Sequence, residues 1–271
     1  MRSGDTGKVT ETDRWPTEAT MTIEMGKADL HIHTDEGDGV DSLQAILDHA
    51  QTETDLDVIA ITEHDCLEVG LRARDLWVRD RYRFDLVPGV EVTTLDGHLV
   101  ALFVEEPVPS LRRLEETIEA VQRQGGVCFV PHPLSWLTRS IGPSTFERVA
   151  RAGLELDGIE LASASPTTRL YAARARRLND LSFGLPCVGA SDAHFKQAIG
   201  SGYTSFEGAS AGDLKTAFRS RTVDGCRGPF PRLREIGLRR ALTVPLRGLA
   251  ATPRRLGWRR TIWSFVSRYG K

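Results

Sequence analysis

The sequence has little cysteine, and its four (Cys66, Cys128, Cys187 and Cys226) make no C-x-x-C pair. Scattered in this way, three of them in or beside apolar segments, they argue against a disulfide framework and for buried thiols in a reducing cytoplasm. No apolar run reaches about 18 residues, so no transmembrane helix is expected. The N-terminus lacks the apolar core of a secretory signal. Acidic residues are nearly missing from one region. Arg227 to Lys271 holds twelve Lys and Arg against Glu235 alone, a balance of about +11. The overall charge of −2 then leaves about −13 on residues 1–226. An acidic body is consistent with a carboxylate cluster for metal, and a basic tail with an anionic partner.

What remains is the composition of a soluble globular protein with a sizeable core, 40% hydrophobic and 27% charged over 271 residues. Residues 1–26 are polar and aperiodic, the pattern of a disordered leader. From Lys27 the chain alternates short apolar runs with helical periodicity. Strands are expected at Lys27–Ile32, Asp57–Thr62, Phe84–Glu91, His98–Val104, Val127–Val130, Gly158–Leu161 and Pro186–Ala190, with Tyr203–Phe206 closing the sheet. Helices are expected after Asp41 or Ser42, and over Leu67–Asp80, Leu111–Gln124, Ser144–Ala152, Pro166–Leu181 and Ser210–Ser220. Alternation repeated about seven times argues for βαβ units and a parallel sheet. Pro245 and Pro253 should divide the basic tail into short helices.

Six of the seven histidines fall in short clusters with carboxylates, most of them just past an apolar run. In Asp29-Leu-His-Ile-His-Thr34 both imidazoles share one face of a strand. The other clusters are Glu63-His64-Asp65, Glu91 followed by His98, Pro131-His132-Pro133 and Asp192-Ala-His194, with Asp38 in a glycine-rich loop. His49 lies outside them all. Residues at the C-terminal ends of many strands converge more naturally in a barrel than in an open sheet. His31, His33, Asp38, His64, Glu91, His98, His132, Asp192 and His194 exceed what one tetrahedral ion needs. They point to two or three divalent ions of manganese, zinc or iron. Two-metal sites suit phosphoester hydrolysis. Glu63 and Asp65 are expected to orient imidazoles. Arg139 offers a bidentate phosphate donor, and Lys196 is a second candidate.

In order, the motifs D-L-H-I-H-T, T-E-H-D, P-G-V-E with G-H, P-H-P and S-D-A-H resemble the polymerase and histidinol phosphatase (PHP) superfamily over residues 27–222. The resemblance implies a distorted (β/α)7 barrel with three metals. It places His31, His33, Glu91 and Asp192 on one ion, His98, His132 and a bridging Glu91 on the second, and Asp38, His64 and His194 on the third. It implies hydrolysis by a metal-activated hydroxide, with Glu91 and Asp192 as catalytic residues; Arg139, from its own chemistry, is expected to join them by holding the phosphate. The substrate would be a phosphorylated metabolite, nucleotide or oligonucleotide end. The alternative class is a membrane or nucleic-acid-binding protein whose metal site is structural or regulatory. Residues 223–271 read as a basic amphipathic extension. Its leucines, arginines and Trp258, Trp263, Phe265 and Tyr269 suit an anionic membrane surface or nucleic acid. Otherwise its apolar faces pack on the barrel. The expected location is the cytoplasm, with peripheral membrane attachment through this tail.

Overall fold

The computed structural model describes residues 24–269 apart from 136, 137, 166, 167 and 169. Most of the expected leader, 1–23, lies outside the described residues; Met25 already opens the first strand. Strand β1 (Met25–Asp29) is followed by helix α1 (Leu43–Glu53), β2 (Val58–Ile61), α2 (Leu67–Asp80) and β3 (Asp85–Thr93). Then come β4 (His98–Leu102), α3 (Leu114–Arg123), β5 (Val127–Val130), α4 (Pro143–Arg151) and β6 (Gly158–Ala162). Helix α5 (Ala172–Leu178) ends in a wider turn, Asn179–Phe183, before β7 (Cys187–Gly189), β8 (Gly202–Glu207), α6 (Ala211–Ser220) and β9 (Asp224–Arg227). The basic extension forms α7 (Leu233–Ile236), α8 (Leu238–Leu256) and α9 (Trp258–Tyr269).

The strands form one sheet in the order β7-β6-β5-β4-β3-β2-β1-β8-β9. It curls into a nearly closed barrel. Thr204 Oγ1 of β8 accepts from Gly189 N of β7 (3.1 Å) and donates to Gly189 O (2.8 Å). Only glycine permits that approach, because a Cβ at 189 would lie 2.0 Å from the Tyr203 carbonyl. Beyond β1, an isolated bridge pairs Ile32 with Ala193 and brings the segment after β7 against the segment after β1.

The barrel differs from a purely parallel one in β4 and β8, which run antiparallel to their neighbours. Only Thr94–Gly97 separates β3 from β4, too few residues for a crossover, so a hairpin is the available connection. Thr94 Oγ1 fixes it by accepting from Asp96 N and Gly97 N. Helix α3 starts three residues later than its periodicity suggests. Leu111 is held at φ 56°, and Asp96 Oδ2 takes the Leu114 N–H at 2.9 Å.

Burial follows the two-residue period of the strands. Ala28, Val58, Ala60, Val87, Val100 and Phe129 share one cluster, closed by Leu214 and Phe218 of α6. Their sequence neighbours Ile59, Ile61, Ala101 and Cys128 turn to the surrounding helices. All four cysteines are free thiols. No described helix is long and apolar enough to cross a membrane. Helix α8 runs unbroken through Pro245 and Pro253, contrary to the expected division. A proline forfeits one backbone bond and bends the axis, and here that does not end the helix.

Candidate metal centre

All nine candidate ligands meet at one end of the barrel, around Glu91. This residue sits inside β3, and its side chain is buried. Its Oε1 lies 2.8 Å from His98 Nδ1 and 3.0 Å from His132 Nε2. Its Oε2 lies 3.0 Å from His64 Nδ1, 3.3 Å from His31 Nε2 and 3.4 Å from His33 Nε2. Five imidazoles thus surround one carboxylate. Their rings close a circle in the order His31, His33, His64, His98, His132, with centroids 4.7–6.0 Å apart. His194 stacks on His33 at 4.5 Å.

Local structure delivers each group. His31 and His33 lie just past β1, where His33 N donates to Ala193 O at 2.9 Å. His64 is bridged to Glu91 beyond β2. His98 starts β4, its N–H held by Arg139 O at 2.8 Å. His132 follows β5, and its carbonyl accepts from Ser140 Oγ at 2.9 Å. His132 (φ 31°) and Asp192 (φ 52°) both occupy left-handed backbone, which L residues adopt only when the surroundings impose it.

Around Asp192 Oδ1 stand His33 Nε2 (3.4 Å), His31 Nε2 (3.6 Å) and His194 Nδ1 (3.6 Å). Around Asp38 Oδ2 stand His194 Nε2 (3.1 Å) and His64 Nε2 (3.4 Å). Side chains that share an ion at about 2.0–2.1 Å hold their ligand atoms about 3.0–3.4 Å apart. The spacing here matches such edges. Several buried atoms also lack an aligned hydrogen bond among the described residues: His31 Nε2, His33 Nε2, His64 Nδ1, both nitrogens of His98, and Asp38 Oδ1. Four sets of ligand atoms lie close enough to hold an ion. They are His31–His33–Asp192, His33–His64–Glu91, His33–Asp38–His194 and Glu91–His98–His132. The donor set fits divalent metal.

Without metal, protons balance the carboxylates. Burial and His194 push the His33 imidazolium down, but Asp38, Asp192 and Glu63 carry it up to about 9. His64 also reaches about 9, burial opposing and Glu91 and Asp38 raising it. His194 reaches about 10 against burial, through Asp38 and Asp192. Burial would raise Asp38, Asp192 and Glu91, yet the imidazoles hold all three well below the usual carboxylate range.

Outside the ring, Glu160 was not singled out by the sequence. It is buried in β6, and its Oε2 lies 3.0 Å from His31 Nδ1. A glutamate amid Gly-Ile-Glu-Leu-Ala was the available signal, since a buried charge needs a partner. Glu63 stands 3.5 Å from His33 Nδ1 and accepts from Thr34 N and Thr34 Oγ1. Gly37 admits it, because a Cβ there would meet Glu63 Oε1 at 1.9 Å. Asp65 does not orient an imidazole. Its carboxylate accepts from Thr93 N, Thr93 Oγ1 and Ser110 Oγ, so it ties the β2 end to β3. Thr138 Oγ1 lies 3.0 Å from His132 Nδ1.

Arg139 reaches both the extension and the β3–β4 hairpin. Nη1 donates to Ser264 Oγ (3.1 Å) and Nη2 to Thr94 O (3.3 Å). Lys196 gives its backbone N–H to Asp41 Oδ2, and Ser42 Oγ caps α1. His49 is half-buried on α1, away from the cluster. The extension lies over this same face. Arg247 donates to Gly39 O and Asp35 O, Arg255 to Glu36 O, and Arg240 pairs with Asp41. Thr252 Oγ1 is 3.3 Å from Thr93 Oγ1. Asp192 and His194 are the most accessible of the nine, with side chains 22% and 16% exposed.

A PHP-associated family model matches residues 173–223. The uncharacterized protein MJ1587 of Methanocaldococcus jannaschii is 33% identical over 149 residues, 51% of this chain and 82% of that protein. The 5'-3' exoribonuclease Rnm of Salmonella typhimurium is 31% identical over 102 residues, 36% of this chain and 34% of the exoribonuclease. Among solved structures, a two-domain protein of Bacteroides vulgatus containing a predicted PHP-like metal-dependent phosphoesterase superposes with a TM-score of 0.61 at 21% identity. That match covers 75% of this chain and 65% of the other.

Proposed function

The chain belongs to the PHP superfamily, and from that premise we propose that it is a metal-dependent phosphoesterase whose reaction takes place at the ring around Glu91. The observation that carries the reading is five imidazoles packed about the buried Glu91 carboxylate at ligand-edge spacing, with Asp38, Asp192 and His194 completing adjoining ligand sets. His31, His33 and Asp192 with Glu91 would hold one ion, Glu91, His98 and His132 a second, and Asp38, His64 and His194 a third. Manganese, zinc and iron all suit these donors. Bound there, such ions supply an activated water and neutralise the phosphate oxygens.

The chain's own residues do the rest. Glu160 and Glu63 would keep the protons of His31 and His33 on Nδ1, leaving each Nε2 lone pair for the centre. Glu91 turns one oxygen to each side of the ring, so neighbouring ions would share its charge. Asp192 and His194, the most accessible of the nine, would flank the opening by which a phosphate group enters. Arg139 would clamp that phosphate on exchanging Ser264 for it. Its planar fork suits the geometry.

For substrates we propose a phosphorylated metabolite, a nucleotide or an oligonucleotide end. The exoribonuclease relative supports the last. The helices laid over the mouth favour a terminal or small phosphate over the interior of a long polymer. The free thiols fit a reducing cytoplasm. The basic residues 227–271 would meet an anionic partner. A panel of phosphorylated metabolites, aryl phosphates and short RNAs, assayed side by side with Mn²⁺ and with chelator, tests the reading. Turnover confined to the metal-supplemented samples is expected. Equal turnover with chelator would refute it.

A further inference from the structure

Helix α8 is built inside out for a helix lying on a protein. As far as Gly248 its polar side faces the barrel: Arg240 and Arg247 hold the loop 35–41, and a Cβ on Gly248 would stand 3.3 Å from Asp38 Oδ2; beyond it Ala251, Thr252 and Pro253 are buried. Four of its five leucines face water. Leu238, Leu242, Leu246 and Leu249 recur at four, four and three residues, one stripe along a helix, and are 61–76% exposed. Trp258 and Ile262 of α9 continue the exposed apolar row at 61% and 59%. Arg239, Arg254, Arg255, Arg259 and Arg260 on the same two helices are exposed. Isolated exposed leucines are ordinary, but a continuous stripe of them marks a surface that is covered in use.

We propose that the outer face of α8 and the start of α9 is a docking surface for an anionic lipid bilayer. Aliphatic side chains flanked by arginines match an interfacial helix, with leucines in the acyl boundary and guanidinium groups at the phosphates. Residues 227–271 carry about +11; Arg240, Arg247 and Arg255 bind the barrel, and the exposed Arg239, Arg254 and Arg259 complement anionic headgroups. Trp258 is the one exposed aromatic ring of this surface among the described side chains; the leucines that make up most of it offer nucleic-acid bases no stacking partner, whereas phosphates alone would need no leucines at all. The inner-face contacts already hold the helix in place, so docking does not have to order it first. The surface stands independently of the hydrolytic reading.

The test is co-sedimentation of the full chain with vesicles of phosphatidylcholine alone and of phosphatidylcholine with phosphatidylglycerol. The wild type should sediment with the anionic vesicles and remain in solution with the neutral ones. The triple variant Leu242→Glu, Leu246→Glu, Leu249→Glu replaces only exposed side chains, so its thermal unfolding should be unchanged. Its vesicle affinity should fall by about tenfold or more. The variant Arg254→Ala, Arg259→Ala should lose about fivefold per arginine, and less in high salt. Sedimentation retained by the triple variant would overturn the proposal. So would a stripe that instead supports self-association of the chain, or binding of single-stranded oligonucleotide, without vesicle binding.

Discussion

Replacing Glu91 by Gln removes one charge from the middle of five imidazoles and changes little in shape. In chelated protein the consequence follows from geometry. Glu91 Oε2 is 3.0 Å from His64 Nδ1, and burial opposes but Glu91 and Asp38 raise His64 from 6.5 to about 9. Between pH 4.5 and 6.5 the wild type therefore pairs a buried carboxylate with buried imidazolium. Breaking such a pair from one side costs about 3–5 kcal/mol, because the remaining charge stays buried. For a chain of this size about 2–4 °C of melting temperature accompanies each kcal/mol, so a loss of about 6–20 °C is expected near pH 6. The sign of the pH dependence is fixed. A raised imidazole pKa contributes stability that is complete below 6.5 and lost as pH rises through about 9. The gap between wild type and Glu91→Gln should thus shrink steadily from pH 6.5 to 9 in calorimetric scans with chelator present. A gap that is constant over that range, or absent at pH 6, would refute the electrostatic account of the ring.

Other perturbations separate the ligands from their supports. Glu160→Ala should weaken metal binding about 10–100-fold by freeing His31, measured by competition with a chromophoric chelator. An affinity equal to wild type would remove Glu160 from the site. Metal binding should release protons near pH 7, since metal-free His33, His64 and His194 titrate at about 9, 9 and 10. Calorimetric titration in buffers of different ionisation enthalpy counts them, and the count should fall towards zero above those values. A count of zero at pH 7 would contradict the protonated resting state.

Much of the site is written locally. His31, His33, His64, His132, Asp192 and His194 each sit at or just past the end of an apolar run, and strand geometry carries those ends to one face. The antiparallel β4 was not visible as such, because an apolar run of His98–Leu102 reads the same in either direction; only the short Thr94–Gly97 link decides it. Glu160 was hidden inside an apolar strand, where its partner His31 is 129 residues away. Asp65 looked like a support for His64 by adjacency, but left-handed backbone at φ 52° turns it towards Thr93 and Ser110. Periodicity locates a leucine stripe in the tail but does not tell which side of the helix meets the barrel, and here the Arg240–Asp41 ion pair and the hydrogen bonds of Arg247 decide that. The side chains of Trp263, Phe265 and Tyr269 lie outside what is described.

We propose that these nine residues form one multinuclear centre for phosphoester hydrolysis. Its most direct test is turnover of a phosphodiester as Mn²⁺ is added stepwise to chelated protein, for the wild type, His33→Ala and Asp192→Asn. Turnover should rise from zero and level off at two to three equivalents of metal per chain, and neither variant should follow it. Saturation below two equivalents, or wild-type turnover in either variant, would contradict the account.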